Sequence, residues 1–124
     1  ALADALRWLF ARGVIDTIPL KCFVAAISVG KVDGSLVTDL SYGEDSRAEV
    51  DFNIVMNEFG DFVEVQGTAE GDPYSRSELL NMIGLAERGV ASMISVQKSA
   101  LSLSGEEERA VALARDRIRQ RQQG

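Results

Sequence analysis

Apolar residues fall at helical spacing along the first twelve positions. Leu2, Ala5, Leu6, Leu9 and Phe10 stand at i, i+3, i+4, i+7 and i+8, one stripe down a helix. Gly13 after Arg12 predicts the C-terminal cap, with the cation over the last turn. The period then changes. Phe23 to Val32 is dense in Val, Ile and Phe and runs into Asp33-Gly34, a pair that readily supplies the positive φ angles of a two-residue hairpin. Ser35 to Tyr42 is expected as the return strand. Ala48 to Asn57 alternates, with Ala48, Val50, Phe52, Ile54 and Met56 on one side and Glu49, Asp51, Asn53 and Asn57 on the other. Phe59-Gly60-Asp61 reads as a turn, Phe62 to Gln66 as a fourth strand, and Gly67 to Pro73 as a polar loop. Connections this short require antiparallel pairing, because a parallel return needs a crossover of about a dozen residues or more.

Ser75 with Glu78 forms a capping-box pattern. Leu79, Leu80, Met82, Ile83, Leu85, Ala86, Val90, Met93, Ile94, Val96 and Leu101 then continue one helix of about 25 residues, near 40 Å at about 1.5 Å per residue. Gly84 and Gly89 inside it each cost about 1 kcal/mol against Ala. They are expected where the helix presses on the sheet or on a neighbour. The pattern predicts an α+β fold, a four-stranded antiparallel sheet with a long helix packed on one face. From Ser104 a further helix opens with Glu107 as its box partner; Glu106 to Glu108 lie in the first turn, and Arg115, Arg117, Arg119 and Arg121 follow late. Val111, Leu113 and Ile118 make a thin apolar face. This tail reads as a solvated helix, or as a basic arm for RNA or a neighbouring subunit.

Composition narrows the chemistry. The 124 residues hold 13 Lys+Arg, 19 Asp+Glu and no His, for a formal net charge of −6. Without His there is no imidazole base and no Ser-His-Asp triad. A single Cys, Cys22, excludes an intrachain disulfide and a thiolate cluster, and it reads as a small buried residue in a reducing compartment. Cys22 to Gly30, an uncharged run that none exceeds in length, is short of the roughly 20 apolar residues that span a bilayer. The acidic balance argues against a general nucleic-acid coat, which needs clustered Lys and Arg, but leaves room for a local RNA site. Carboxylates, hydroxyls, cations and backbone remain.

Carboxylates are densest between the second and third strands. Asp39, Glu44, Asp45, Glu49 and Asp51 lie within one short stretch, Thr38 to Asp51. Asp39 is expected opposite Leu40, away from the apolar layer, and Asp45 in the turn that follows. Neighbouring carboxylates repel unless a cation or a shared proton relieves them. Such a pair suits either Mg²⁺, which accepts a few carboxylates with water and phosphate oxygens, or acid–base work on a phosphate ester. Acidic turns also serve simply to cap backbone. Gly67-Thr68-Ala69-Glu70-Gly71 is Gly-bounded but lacks the Lys of a P-loop, and reads as a turn. Arg76, Arg88 and Lys98 are candidates for phosphate contacts, or plain solvated helix residues.

Asp39-Leu40-Ser41-Tyr42-Gly43-Glu44-Asp45-Ser46-Arg47-Ala48-Glu49-Val50-Asp51 and Glu64-Val65-Gln66-Gly67-Thr68-Ala69-Glu70-Gly71 together resemble the second half of the ribonuclease PH family. Val24-Ala25-Ala26-Ile27-Ser28-Val29-Gly30 and Gln97-Lys98-Ser99-Ala100-Leu101 extend the likeness, which covers about residues 1–101. The resemblance implies a ribosomal protein S5 domain 2-like fold and a phosphorolytic 3′→5′ exoribonuclease. Such an enzyme trims the 3′ ends of tRNA precursors and acts in rRNA processing. It uses inorganic phosphate as co-substrate and releases nucleoside diphosphates. Asp39 and Asp45 match the family's catalytic acids, with Mg²⁺ held near the same two residues. The resemblance further implies a cytoplasmic protein in a homo-oligomeric ring, a hexamer, with RNA 3′ ends as partner and no membrane.

The family's Gly-Gly-Thr-Arg-Thr-like phosphate-binding stretch, and an earlier Arg, precede the helix with which these residues begin. The chain also opens without an N-cap residue or Met. The expectation is therefore that residues 1–16 end a helix belonging to an absent N-terminal half, 17–103 form the second domain, and 104–124 a tail helix. On this reading the chain alone is inactive, and an N-terminal half in another chain completes it. The alternative is a non-catalytic ring subunit of the same fold, serving RNA binding and assembly.

Overall fold

The computed structural model describes residues 1–122, and within them every side chain but those of Asp45, Arg119, Arg121 and Gln122. The element order is α1 (Leu2–Ala11), β1 (Val24–Val32), β2 (Ser35–Thr38), α2 (Tyr42–Asp45), β3 (Val50–Asn57), β4 (Phe62–Ala69), α3 (Arg76–Leu101) and α4 (Gly105–Gln122). The chain groups into two compact units. Val24–Ser95 form one; Ala1–Phe23, with the stretch from Val96 onward, form the other.

In the Val24–Ser95 unit the strands lie in the order β2-β1-β3-β4, every pair antiparallel. The β1–β2 hairpin turns through Asp33 (φ 49°) and Gly34 (φ 75°), the two positive angles of a type I′ turn. The alternation in β3 holds: Val50, Phe52, Ile54 and Met56 are all buried. Across the ladder, Val29, Ile27 and Ala25 stand opposite Phe52, Ile54 and Met56 and so share their face. α3 buries Met82, Ala86, Val90 and Ile94, one residue per turn. A Cβ on Gly89 would lie 2.3 Å from Ile27 Cδ1, so the missing side chain sets the close approach of α3 to β1. Gly84 departs from expectation: a Cβ there would meet only the Arg88 guanidinium of the same helix, at 3.8 Å. α3 is long and apolar enough to cross a membrane by length and composition, yet its buried stripe lies in this core.

Two strand boundaries also differ from the sequence pattern. β2 stops at Thr38 rather than running to Tyr42, because Asp39 turns to a positive φ and Tyr42–Asp45 coil into a helical turn. β4 runs on through Ala69, so Gly67-Thr68-Ala69 is strand and not loop. Gly67 stands opposite Phe52, and a Cβ there would come within 2.3 Å of the Phe52 ring. The ring fills that space and packs edge-on to Tyr74, 5.1 Å between centroids. At the start of α3, Ser75 N–H donates to Glu78 Oε2 (2.7 Å) while Glu78 N–H donates to Ser75 Oγ (3.2 Å), the reciprocal box the spacing predicts.

The other unit revises the picture of both termini. Gly13, at φ +68°, caps α1: its N–H donates to Phe10 O (2.9 Å), and Val14 N–H donates to Leu9 O (3.0 Å). Ile18, Ala110 and Val111 form a buried core, with Leu6, Phe10, Leu20 and Leu103 packed around it. The apolar stripe of α1 thus finds cover for Leu6 and Phe10 inside the chain, while Leu2 stays 70% exposed. α4 is likewise no solvated arm. Two of its arginines hold the segment before β1: Arg115 Nε donates to Leu20 O (3.2 Å), and Arg117 donates two bonds to Asp16 (3.1 and 3.0 Å). Arg7 Nε pairs with Glu107 at 2.6 Å and Arg7 Nη1 donates to Leu101 O at 3.1 Å, tying α1 to the end of α3 and the start of α4. Ser104 N–H donates to Glu107 Oε2 at 2.8 Å, completing that carboxylate's capping role. The side chains of Arg119 and Arg121, and all of Gln123 and Gly124, lie outside the described residues. Cys22 is partly exposed rather than buried.

Candidate active site

The strand order places the acidic stretch. β2 and β3 flank β1, so residues 39–49 must cross β1 to join them. They cross on the face away from α3. A Cβ on Gly30, which β1 turns to that face, would sit 2.8 Å from Leu40 Cδ1 and 2.6 Å from Val50 O. Leu40 therefore rests directly on the β1 backbone.

Asp39 stands at the last rung of the hairpin. The β1–β2 register ends at Val29 opposite Thr38, and Asp39 N–H still donates to Ser28 O (2.8 Å). The backbone then turns. Asp39 has φ +58°, in the left-handed region that Asp and Asn enter more readily than other side-chain-bearing residues. The next amide, Leu40 N–H, donates to Ser28 Oγ at 3.1 Å. The Asp39 side chain is exposed, as expected, although it lies beyond β2 rather than within its alternation.

α2 follows at once. Ser41 N–H (2.9 Å) and Ser41 Oγ (2.7 Å) both donate to Glu44 Oε2. These bonds, from the hydroxyl first and then the amide, hold the Glu44 carboxyl below its usual range. Asp45 is the last residue of α2; its side chain lies outside the described residues. Arg47 Nε donates to Gly43 O at 3.0 Å and steadies the exit from the turn.

The structure sorts the four described carboxylates of the stretch. Glu44 caps α2. Glu49 accepts Gly34 N–H (2.9 Å) and faces Lys31 Nζ (3.3 Å), so it secures the hairpin. Lys31 also pairs with Glu78 at 3.0 Å, linking β1 to the first turn of α3. Asp51 stands opposite Gly30, on the face that Leu40 covers. Asp39 is left open to solvent at a fixed turn, with the backbone of Asp45 on the next element. Among the described residues no three acidic or thiol side chains gather as a metal cage. An ion here would be held by one or two carboxylates with water or phosphate, a sparse protein shell of the kind Mg²⁺ accepts. Arg76 and Arg88 are exposed on α3, and Lys98 Nζ lies 5.7 Å from the Phe23 ring centroid.

The model of the 3′ exoribonuclease family, domain 2, matches residues 22–89, more than half of the chain. The chain belongs to that family. The matched stretch lies almost wholly within the sheet-and-helix unit and contains Ser28, Asp39 and Asp45. The crystal structure of rice (Oryza sativa) Rrp46 superposes on the exoribonuclease-family chain with a TM-score of 0.54 at 20% identity. The match covers 83% of this chain and 46% of the rice chain. At that identity the likeness is one of fold, and the present chain spans under half the length of its structural relative. Sequence reasoning passed over Ser28, whose hydroxyl accepts the Leu40 amide. The available signal was a hydroxyl in an otherwise apolar strand, at a position turned away from the helix.

Proposed function

We propose that this chain is the C-terminal part of a phosphate-dependent 3′→5′ exoribonuclease that trims the 3′ ends of tRNA precursors. The observation that carries the reading is that Asp39, which family resemblance marks as an acid of the site, is the open carboxylate among the described side chains of the acidic stretch, while Glu44 and Glu49 serve structural bonds. In the reaction, a phosphate oxygen attacks the last phosphodiester of the RNA. The bond from phosphorus to the penultimate ribose O3′ breaks, a nucleoside diphosphate leaves, and O3′ takes a proton. Asp39 and Asp45 share the work: one delivers that proton, the other orients the leaving oxygen or a Mg²⁺ ion. Bound Mg²⁺ would supply neutralisation of the phosphate charge. Inorganic phosphate binds beside these acids, and the complete enzyme is a cytoplasmic ring, a hexamer.

The test is the complete enzyme with inorganic phosphate, Mg²⁺ and an RNA bearing a tRNA-like 3′ tail. Asp39→Asn and Asp45→Asn should each slow release of nucleoside diphosphates by about 10²–10⁴-fold, with RNA binding and melting temperature unchanged. If both variants keep the parental rate, the carboxylates are not catalytic. A parent that binds RNA and assembles without releasing diphosphates would instead mark a non-catalytic ring subunit.

A further inference from the structure

The turn that carries Asp39 is held by one side chain on a different strand. β1 presents Ile27 and Val29 to the core and turns Ser28 to the opposite face. Ser28 takes two consecutive amides of the crossing segment. Its carbonyl accepts Asp39 N–H at 2.8 Å, and its hydroxyl accepts Leu40 N–H at 3.1 Å. The first bond belongs to the β1–β2 ladder and would form with any residue at position 28. The second is specific to a side chain with an acceptor one atom beyond Cβ. It forms where Asp39 leaves the ladder with φ +58°, and it gives the Leu40 amide a partner that the ended strand cannot supply. Gly30, two residues on, leaves the space that seats Leu40. Ser28 and Gly30 thus determine where the Asp39 backbone stands relative to the sheet, and Asp39 itself has an exposed side chain with no core packing to hold it.

We infer that Ser28 is a positioning residue for phosphorolysis: its hydroxyl locks the left-handed turn at Asp39 and so aims the Asp39 carboxylate at the leaving ribose oxygen. The inference rests on the catalytic reading of Asp39 given above. A carboxylate aimed by its own backbone is sensitive to small rotations, and misplacement by about 1 Å can cost on the order of 10²-fold in rate. Ser28 touches neither RNA nor phosphate in this scheme, so substrate binding should be indifferent to it.

The experiment uses the same complete enzyme with Ser28→Ala, Ser28→Thr, Asp39→Asn and the Ser28→Ala/Asp39→Asn pair. Ser28→Ala should lower kcat at least about tenfold with KM for RNA within about twofold, while Ser28→Thr, which keeps the hydroxyl, restores most of kcat. In the Asp39→Asn background Ser28→Ala should cost nothing further, because a group acting through Asp39 has nothing left to aim. Amide hydrogen exchange at Leu40 should quicken in Ser28→Ala and remain slow in Ser28→Thr. If Ser28→Ala keeps the parental kcat while Asp39→Asn loses it, the positioning role is wrong and the catalytic reading stands. If Asp39→Asn keeps the parental rate, the catalytic reading is wrong and the role of Ser28 falls with it. Losses that multiply in the pair overturn the inference as well. Should Ser28→Ala fail to fold, Ser28→Cys, with a weaker acceptor at the same position, should give an intermediate kcat, and a parental kcat there overturns the inference.

Discussion

Glu78 shows how a single surface residue can cap one element and tie it to another. Its carboxylate accepts the Ser75 amide and hydroxyl and pairs with Lys31 on β1, and these contacts hold its pKa at about 2. The backbone bond from Ser75 is the largest cause, followed by Lys31. A carboxyl whose folded pKa is lowered adds stability above its unfolded value, and that stability is lost as pH falls toward the folded value. Glu78→Gln should therefore lower the melting temperature near neutral pH. The gap to the parent should narrow from about pH 4.5 down to about pH 2. Melting curves across that range check it; a gap independent of pH would mean that the charge on Glu78 is not what stabilises the parent.

Among the elements, glycines that look alike in sequence do different work. Gly84 lies in α3 with only the Arg88 side chain within reach, so Gly84→Ala removes the backbone-entropy penalty without a clash and should stabilise by about 1 kcal/mol. Gly67 lies in β4 against the buried Phe52 ring, which cannot retreat without disturbing Tyr74. Gly67→Ala should destabilise by about 1–3 kcal/mol, the usual cost of overpacking a core. Urea unfolding of the two variants beside the parent gives the signs directly. Equal effects of the same sign would contradict the packing assigned to at least one of them.

At the scale of the whole molecule, apolar surface remains uncovered in each unit. Leu2, Trp8 and Val14 are exposed in one; Phe59, Phe62, Val63 and Val65 are exposed on or beside β4 in the other. β4 ends the sheet, with no strand on its outer side among the described residues and Val63 standing out of register at a bulge. Surface of this kind drives association. The isolated 124 residues should therefore sediment as species larger than the 13.4 kDa monomer. Val63→Lys should shift them toward the monomer by placing a charge on the free edge. A monodisperse parent at the monomer mass would refute this.

The period-2 run Ala48 to Met56, the Asp33-Gly34 turn and the Ser75–Glu78 and Ser104–Glu107 boxes determined the elements from sequence alone. Each is a local rule: alternation follows from the pleat, positive φ from the turn residues, and a cap from side chains three positions apart. The acidic stretch was legible in the same way, as composition. Only the tertiary structure separated its members, because Glu49 finds Lys31 and Gly34 through the sheet, and Asp39 finds Ser28 across a ladder. The end of β2 at Thr38 depended on that ladder, and the run of β4 to Ala69 depended on its pairing with β3. The arginines of α4 read as solvated because their partners, Leu20 and Asp16, lie about a hundred positions away along the chain. Contacts of such sequence separation leave no periodicity; they exist only once the chain has closed on itself.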